Sequence, residues 1–174
     1  ALPPNVVGEI IFGSLETHPR PARWHGRAHT RLGMILGPPF EFGEGGPGGW
    51  VFVIEPELHL GPHVVVPDVA AWRSERFTET EEGPWYEVAP DWICEILSPS
   101  TAKKDRGDKM HVYATYKVGH RWLLDPTDRL LEVYERQQSN WLRTGSFADN
   151  EDVKAPPFDA ITFSLSRLWP FDPV

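Results

Sequence analysis

Two acidic residues stand where acids are costly. Asp68 interrupts the apolar run Val64 to Trp72, and Glu95 interrupts the run Trp92 to Leu97. A carboxylate in a central strand needs a partner to stay ionised. A salt bridge or a water-facing edge strand supplies one kind of partner. A shared metal ion supplies another. Neighbouring strands lie ~4.8 Å apart, so carboxylates on adjacent strands can both reach an Mg²⁺ at ~2.1 Å. Asp91 also follows a proline and is a rival for Asp68. It lies four residues before Glu95, ~13 Å along one strand, too far to share an ion. Its expected role is to start the strand.

Lys109 follows Asp105 by one helical turn, which puts both on one face. An ordinary surface ion pair is the alternative reading, and such pairs contribute little. Lys103 and Lys104 fall in the first helical turn, where the helix dipole disfavours cations. With Arg106, Lys109 and Lys117 they form a basic patch. Its placement suggests an anionic partner, although solvated lysines explain it equally well.

Other chemistries find less support. His25 and His29 are one helical turn apart, and His59 and His63 flank Gly61-Pro62. No further ligand follows at zinc-site spacing. The single cysteine, Cys94, sits in an apolar run and reads as a buried small residue. One cysteine allows no internal disulfide and no cysteine-built zinc site. No phosphate-cradling glycine loop or serine elbow is present. The eight tryptophans read as core and interface material.

Strands and helices must position these groups. Gly8 to Phe12 reads as a strand with a turn at Gly13-Ser14. Trp24 to Leu36 has apolar residues at helical spacing and should stop at Gly37-Pro38-Pro39. Phe40 to Gly49, with five glycines, reads as a mobile loop or hairpin tip. Trp50 to Ile54 is a strand that Leu58 to Leu60 continues past Pro56. Val64 to Trp72 is a second, and Ser74 to Pro84 a loop. Trp92 to Leu97 reads as a strand buried on both faces. Ser98 to Thr101 offers a helix cap, and one helix should run from Ala102 to Val118, closed by Gly119. Arg121 to Asp125 and Leu130 to Arg136 are strands around an Asp125-Pro126-Thr127-Asp128 turn. Trp141 to Thr144 adds another, and Ser164 to Trp169 a short terminal helix.

This order implies an α/β (α+β) fold, a mixed central sheet flanked by helices, with additional hairpins. The 174 residues suit one domain with a real core. The apolar fraction, 40%, and the charged fraction, 24%, are those of a globular protein. No run approaches the ~20 apolar residues of a membrane helix, and no leader pattern opens the chain. A cytoplasmic location is therefore expected. The formal charge of −8 weighs against nucleic acid, unless a metal ion and the local basic patch offset it.

The combined pattern resembles a known family. It comprises Val66-Pro67-Asp68-Val69-Ala70, Pro90 through Thr101 around Glu95, Asp105-Arg106-Gly107-Asp108-Lys109, Tyr113, Gly119 and Trp122-Leu123-Leu124-Asp125-Pro126. It is similar to the Uma-type family of bacterial proteins assigned as endonucleases, within the PD-(D/E)XK superfamily. The resemblance is close over residues 60–136 and looser elsewhere. It implies a restriction-endonuclease-like fold and hydrolysis of phosphodiesters, with DNA the expected substrate. It implies Mg²⁺ or Mn²⁺ held by Asp68, Glu95 and the backbone carbonyl of Ile96. The superfamily's lysine stands two residues after the second acid, where this chain has Leu97. In this family the role matches Lys109. The family's helix-start histidine matches His25. The first helix contains no acid, which leaves Glu9 and Glu57 as stand-ins and Asp105 as a further accessory acid. Lys103, Lys104 and Arg106 would meet nucleic acid. A homodimer through exposed Trp50, Trp85 and Trp141 would suit paired cleavage of a duplex.

Two other functions compete: a catalytically silent nucleic-acid or protein-binding module on the same fold, and a hydrolase of small phosphoesters. The lysine absent from the strand and the acidic charge favour the silent module. The joint presence of Asp68, Glu95 and Lys109 favours the nuclease.

Overall fold

The computed structural model describes residues 6–19, 23–77, 83–98 and 102–169. Strands β1 (Val6–Ile11) and β2 (Ser14–Pro19) form a hairpin. Its turn residues, Phe12 and Gly13, both have positive φ, 51° and 79°. This is the mirror-image turn that matches strand twist.

Helix α1 (Arg23–Leu36) buries Ala28, Leu32, Ile35 and Leu36. The α-helix ends at Leu36, as the stop at Gly37-Pro38-Pro39 predicts. A turn of π-helix, Gly37–Glu41, continues the chain and buries Pro39 and Phe40. Proline is tolerated at a helix start because those positions need no N–H donor. The glycine-rich segment after it is no free hairpin tip. Gly48 donates its N–H to the Pro39 carbonyl at 2.9 Å. A Cβ on Gly46 would lie 2.5 Å from Pro39 Cβ, so only glycine fits there.

Then follow β3 (Trp50–Ile54), β4 (Glu57–Leu60), β5 (His63–Val65), β6 (Val69–Arg73), β7 (Trp85–Tyr86) and β8 (Trp92–Ile96). Helices α2 (Ala102–Arg106) and α3 (Asp108–Thr115) precede β9 (His120–Asp125), β10 (Leu130–Gln137) and β11 (Asn140–Ala148). Two short strands, β12 (Asp152–Val153) and β13 (Phe163–Ser164), and a 3-10 turn at Leu165–Leu168 complete the described chain.

Two larger sheets result. One has the order β2-β1-β5-β4-β7, the other β11-β10-β9-β8-β6-β3. Strands β8 and β9 are parallel, joined through α2 and α3. Every residue of β8 is buried, which explains its nearly continuous apolar run. One core lies around Phe158, whose ring meets Phe40, Trp50, Phe52, Trp92 and Trp122. A second joins the two sheets through Leu58, Val65, Trp72, Ile93 and Tyr113.

Several expectations change. Val64 to Trp72 is not one strand. The chain leaves the five-stranded sheet at Val65 and enters the six-stranded one at Val69. Pro67 lacks the N–H needed to carry a ladder through this point. Leu58 to Leu60 does not prolong β3 but pairs with β5 in the other sheet. Glu55, with φ 47°, turns the chain between them. The helix expected over Ala102 to Val118 breaks at Gly107, whose backbone is non-helical, and ends at Thr115. Most of the cap segment, residues 99–101, lies outside the described residues. Trp50 is not an exposed interface residue: it is 2% exposed, with the Arg73 guanidinium over its ring. Trp85 and Trp141 are half-buried. Trp85 stacks on His59, and Trp141 donates to the Met110 carbonyl. These contacts remove much of the surface on which the two-fold contact was expected.

Candidate active site

The site forms where the chain crosses between the two sheets. Residues Val66 to Asp68 make that crossing, and different elements hold Val66 and Asp68. The Val66 N–H donates to Glu9 Oε1 at 2.9 Å, and its carbonyl accepts from Lys109 Nζ at 3.4 Å. The Asp68 carbonyl accepts from the Glu55 N–H. The pairing Val69 with Cys94 and Ala70 with Ile93 brings Asp68 opposite Glu95 at the strand ends. There the Asp68 carboxylate replaces the ladder, and its Oδ2 accepts the Ile96 N–H at 2.6 Å.

Glu95 and Lys109 are buried beside this crossing, 2% exposed each. Lys109 Nζ lies 2.7 Å from Glu95 Oε1, 3.0 Å from Glu9 Oε1 and 3.6 Å from Asp105 Oδ1. Tyr113, one turn beyond Lys109 on α3, donates its hydroxyl to the same Glu95 oxygen at 2.8 Å. Arg121, fully buried, donates to the Asp105 carbonyl and fixes the end of α2. The Asp105–Lys109 contact is therefore no surface pair. The helix break at Gly107 lies between its two members.

Electrostatics follow from this packing. Burial pushes the Glu95 carboxyl up to about 8; Lys109 opposes the shift, while Asp105, Asp68 and Glu9 add to it. Burial alone would also raise Glu9, but Lys109, His18 and the Val66 N–H prevail and bring it down to about 2. Burial works against the Lys109 ammonium, yet Glu95, Tyr113, Glu9 and Asp105 hold its pKa well above the ordinary value. Burial, reinforced by Glu95, keeps the Tyr113 hydroxyl protonated.

His25, at the start of α1, comes to the other side of the crossing. Its Nε2 donates to the Ile96 carbonyl at 2.7 Å and stands 3.3 Å from Asp68 Oδ1. Burial lowers its pKa, but the bond to Asp68 outweighs this and raises it.

Glu57 does not join the site. It is exposed and pairs with His59 at 2.7 Å. Arg106 is paired with Glu132, and Lys103 is exposed. The side chain of Lys104 lies outside the described residues. Asp91 accepts the Arg73 N–H and pairs with Arg76, an anchor at the head of β8. Cys94 is buried, and burial raises its thiol pKa. Glu55 was not singled out in the sequence. It faces His25 and His29 electrostatically from the turn before β4. No spacing signal links it to either helix residue.

The donor set suits a hard cation in kind. Asp68 Oδ1 and the Ile96 carbonyl oxygen both face His25 Nε2, and Glu95 precedes Ile96 in the strand. Among the described residues, no three His, Cys, Asp or Glu side chains group closely enough to hold an ion by themselves. A shell of protein atoms there would have to draw on backbone oxygen such as the Ile96 carbonyl.

The architecture defines the class: a mixed α+β domain of the restriction-endonuclease-like type. Its sequence matches the Uma2 family, described as "Putative restriction endonuclease", over residues 2–166, and the chain belongs to that family. Membership supports a nuclease function. A solved structure described as "a putative nuclease belonging to DUF820 from Anabaena variabilis ATCC 29413" shares the fold. Its TM-score is 0.72 at 23% identity, covering 93% of this chain and 89% of that one. No curated protein matches the chain significantly. No helix among the described residues is long and apolar enough to cross a membrane.

Proposed function

We propose that this protein is an endonuclease that hydrolyses DNA phosphodiesters with Mg²⁺ or Mn²⁺. The observation that carries the reading is the buried Lys109 ammonium, 2.7 Å from Glu95, beside the Asp68 carboxylate bonded to the Ile96 N–H. A lysine is rarely buried without a task or a partner, and this one has a carboxylate cluster around it and donates to the Val66 carbonyl at the crossing.

Asp68, Glu95 and the Ile96 carbonyl would hold the ion. Such an ion polarises a phosphoryl oxygen and lowers the pKa of a bound water. Lys109 stabilises negative charge developing on the phosphate oxygens, a contribution that gains strength where water is excluded. Tyr113 positions Glu95 through its hydroxyl, and Asp105 and Glu9 position Lys109. Lys103 at the start of α2 meets the phosphate backbone, whereas Arg106 is already paired with Glu132. Glu95 on β8 and Lys109 on α3 sit on regular elements, which suits a site that must hold its geometry.

The test is nicking of supercoiled plasmid in Mg²⁺ or Mn²⁺, with chelator as the control. Cleavage abolished by chelator and by Asp68→Asn is the expected result. Cleavage that survives Asp68→Asn, or metal binding without cleavage of any DNA or RNA, rejects it. The second outcome returns weight to the silent binding module, which the acidic charge favours.

A further inference from the structure

We infer that Arg106 and Arg143, held on either side of Glu132, form a clamp for a phosphate of the DNA backbone near the scissile bond. The inference rests on the DNA-cleaving reading above and adds a substrate contact outside the Asp68, Glu95 and Lys109 cluster. Arg106 from α2 pairs with Glu132 Oε2, and Arg143 from β11 lies 3.2 Å from Glu132 Oε1. The Tyr134 hydroxyl donates to the same Oε1 at 3.2 Å. Exposure divides the three charged side chains: Glu132 is 7% exposed, Arg106 40% and Arg143 58%. One counter-charge is enough to pair a buried carboxylate. This one has two, and the surplus positive charge faces solvent. Asp125 acts on Arg106 more weakly than Glu132 does, and its Oδ1 already accepts the Thr127 and Asp128 N–H groups. Each arginine meets Glu132 through Nη1, and a guanidinium has further N–H donors to offer. In a chain with a formal charge of −8, two cations fixed together at the surface form a local site for an anion.

The clamp lies in line with the active site. Glu95 on β8 is in register with Leu123 on β9, and Leu123 with Glu132 on β10. Side chains of one such row share a face of the sheet. It is the face from which α3 reaches Glu95 through Lys109 and α2 reaches Glu132 through Arg106. Two strand spacings, roughly 10 Å, separate the ends of the row. Phosphates along one DNA strand follow each other every ~3.4 Å of helix axis. A strand with its scissile phosphate at Glu95 therefore brings another phosphate, a few nucleotides on, to the two arginines. The planar fork of a guanidinium fits phosphate oxygens. Glu132 fixes both forks before DNA arrives, which lowers the ordering cost of binding. Its pairing with Arg106 prepares that side chain for DNA rather than withdrawing it.

The experiment measures binding of the whole protein to a short DNA duplex by fluorescence anisotropy across a range of KCl, in Ca²⁺ so that cleavage does not intervene. Affinity should fall with salt. Arg143→Gln should lower the slope of log affinity against log salt by about one, the loss of one phosphate contact, and weaken binding by about tenfold near 0.1 M KCl. Arg143→Lys keeps the charge and should restore the slope. Arg167→Gln removes the same charge on the other face of the six-stranded sheet, where Leu165 and Leu168 pack with Trp122 and Leu124, and should leave the slope unchanged. An unchanged slope in Arg143→Gln overturns the clamp. So does an equal drop in Arg167→Gln, which would mean that only total charge matters, or a failure of Arg143→Lys to restore the slope. A wild type that binds no duplex overturns it as well. Plasmid nicking separates the two levels. If the wild type nicks DNA while Arg143→Gln keeps its full slope, the nuclease reading stands and the clamp falls. If the wild type never nicks DNA but its slope depends on Arg143, the nuclease reading falls and the clamp stands as a DNA-binding site.

Discussion

Lys109 Nζ and Glu95 Oε1 stand 2.7 Å apart in a region almost free of solvent, although a strand end and a broken helix separate them along the chain. Three carboxylates surround this one ammonium: Glu95, Glu9 and Asp105. The cluster therefore carries more acid than base, and the raised Glu95 carboxyl relieves part of that excess. An ion beside Asp68 and Glu95 would relieve it further.

Removing the ammonium separates catalysis from stability. In Lys109→Met, three buried carboxyls lose their common partner. The fold should weaken by about 3–5 kcal/mol, the scale of breaking a buried pair, read as a lower urea midpoint at pH 7. Plasmid nicking should fall by about 10²-fold or more, while Mn²⁺ binding at Asp68 persists. A variant that cleaves like the wild type removes Lys109 from the site.

Glu9 makes acid stability diagnostic. Its folded pKa, about 2, lies below the ordinary value of 4.5. The stabilisation from its ionised form is present above pH 4.5 and is lost as pH falls toward 2. The shift corresponds to about 3 kcal/mol at order-of-magnitude precision. Wild type should lose more unfolding free energy between pH 5 and pH 3 than Glu9→Gln does. Equal losses would mean that Glu9 is not held ionised by Lys109.

Tyr113→Phe keeps the ring and deletes one hydroxyl. The Glu95 oxygen loses a 2.8 Å donor in a buried setting, at a cost of about 1–3 kcal/mol. With Glu95 less firmly placed, nicking should slow while DNA binding, measured by gel shift in Ca²⁺, stays within about twofold, because no backbone contact with DNA is touched. An unchanged rate would make the hydroxyl purely structural.

Asp91→Ala tests which of the two proline-aspartate pairs carries chemistry. Asp91 anchors Arg73 and Arg76 at the head of β8. Its loss should cost about 1–2 kcal/mol of stability and leave the nicking rate of the folded protein unchanged. A loss of cleavage matching that of Asp68→Asn would reverse the assignment.

The sequence by itself determined the elements whose burial is periodic and local. Trp92 to Ile96 is legible as a doubly buried strand because its apolar run is nearly continuous. The acids Asp68 and Glu95 are legible because they interrupt such runs. The Asp125 turn is legible because a short acid can accept the N–H groups two and three residues on, as it does from Thr127 and Asp128. Lys109 was marked by family resemblance and by its spacing from Asp105. Only the tertiary structure decided what depends on contacts between distant segments. Glu9 enters the cluster because β1 pairs with β5, bringing it against Val66 and Lys109. His25 reaches Ile96 across 71 residues of sequence. The split of Val64 to Trp72 reflects the partners on either side of Pro67, β1 and β4 before it and β3 and β8 after it. The helix break at Gly107 is set where buried Arg121 and Asp105 compete with continuation of the helix. Local periodicity records which side of an element is buried. It carries no record of which distant group lies opposite, and the site is composed almost entirely of such pairings.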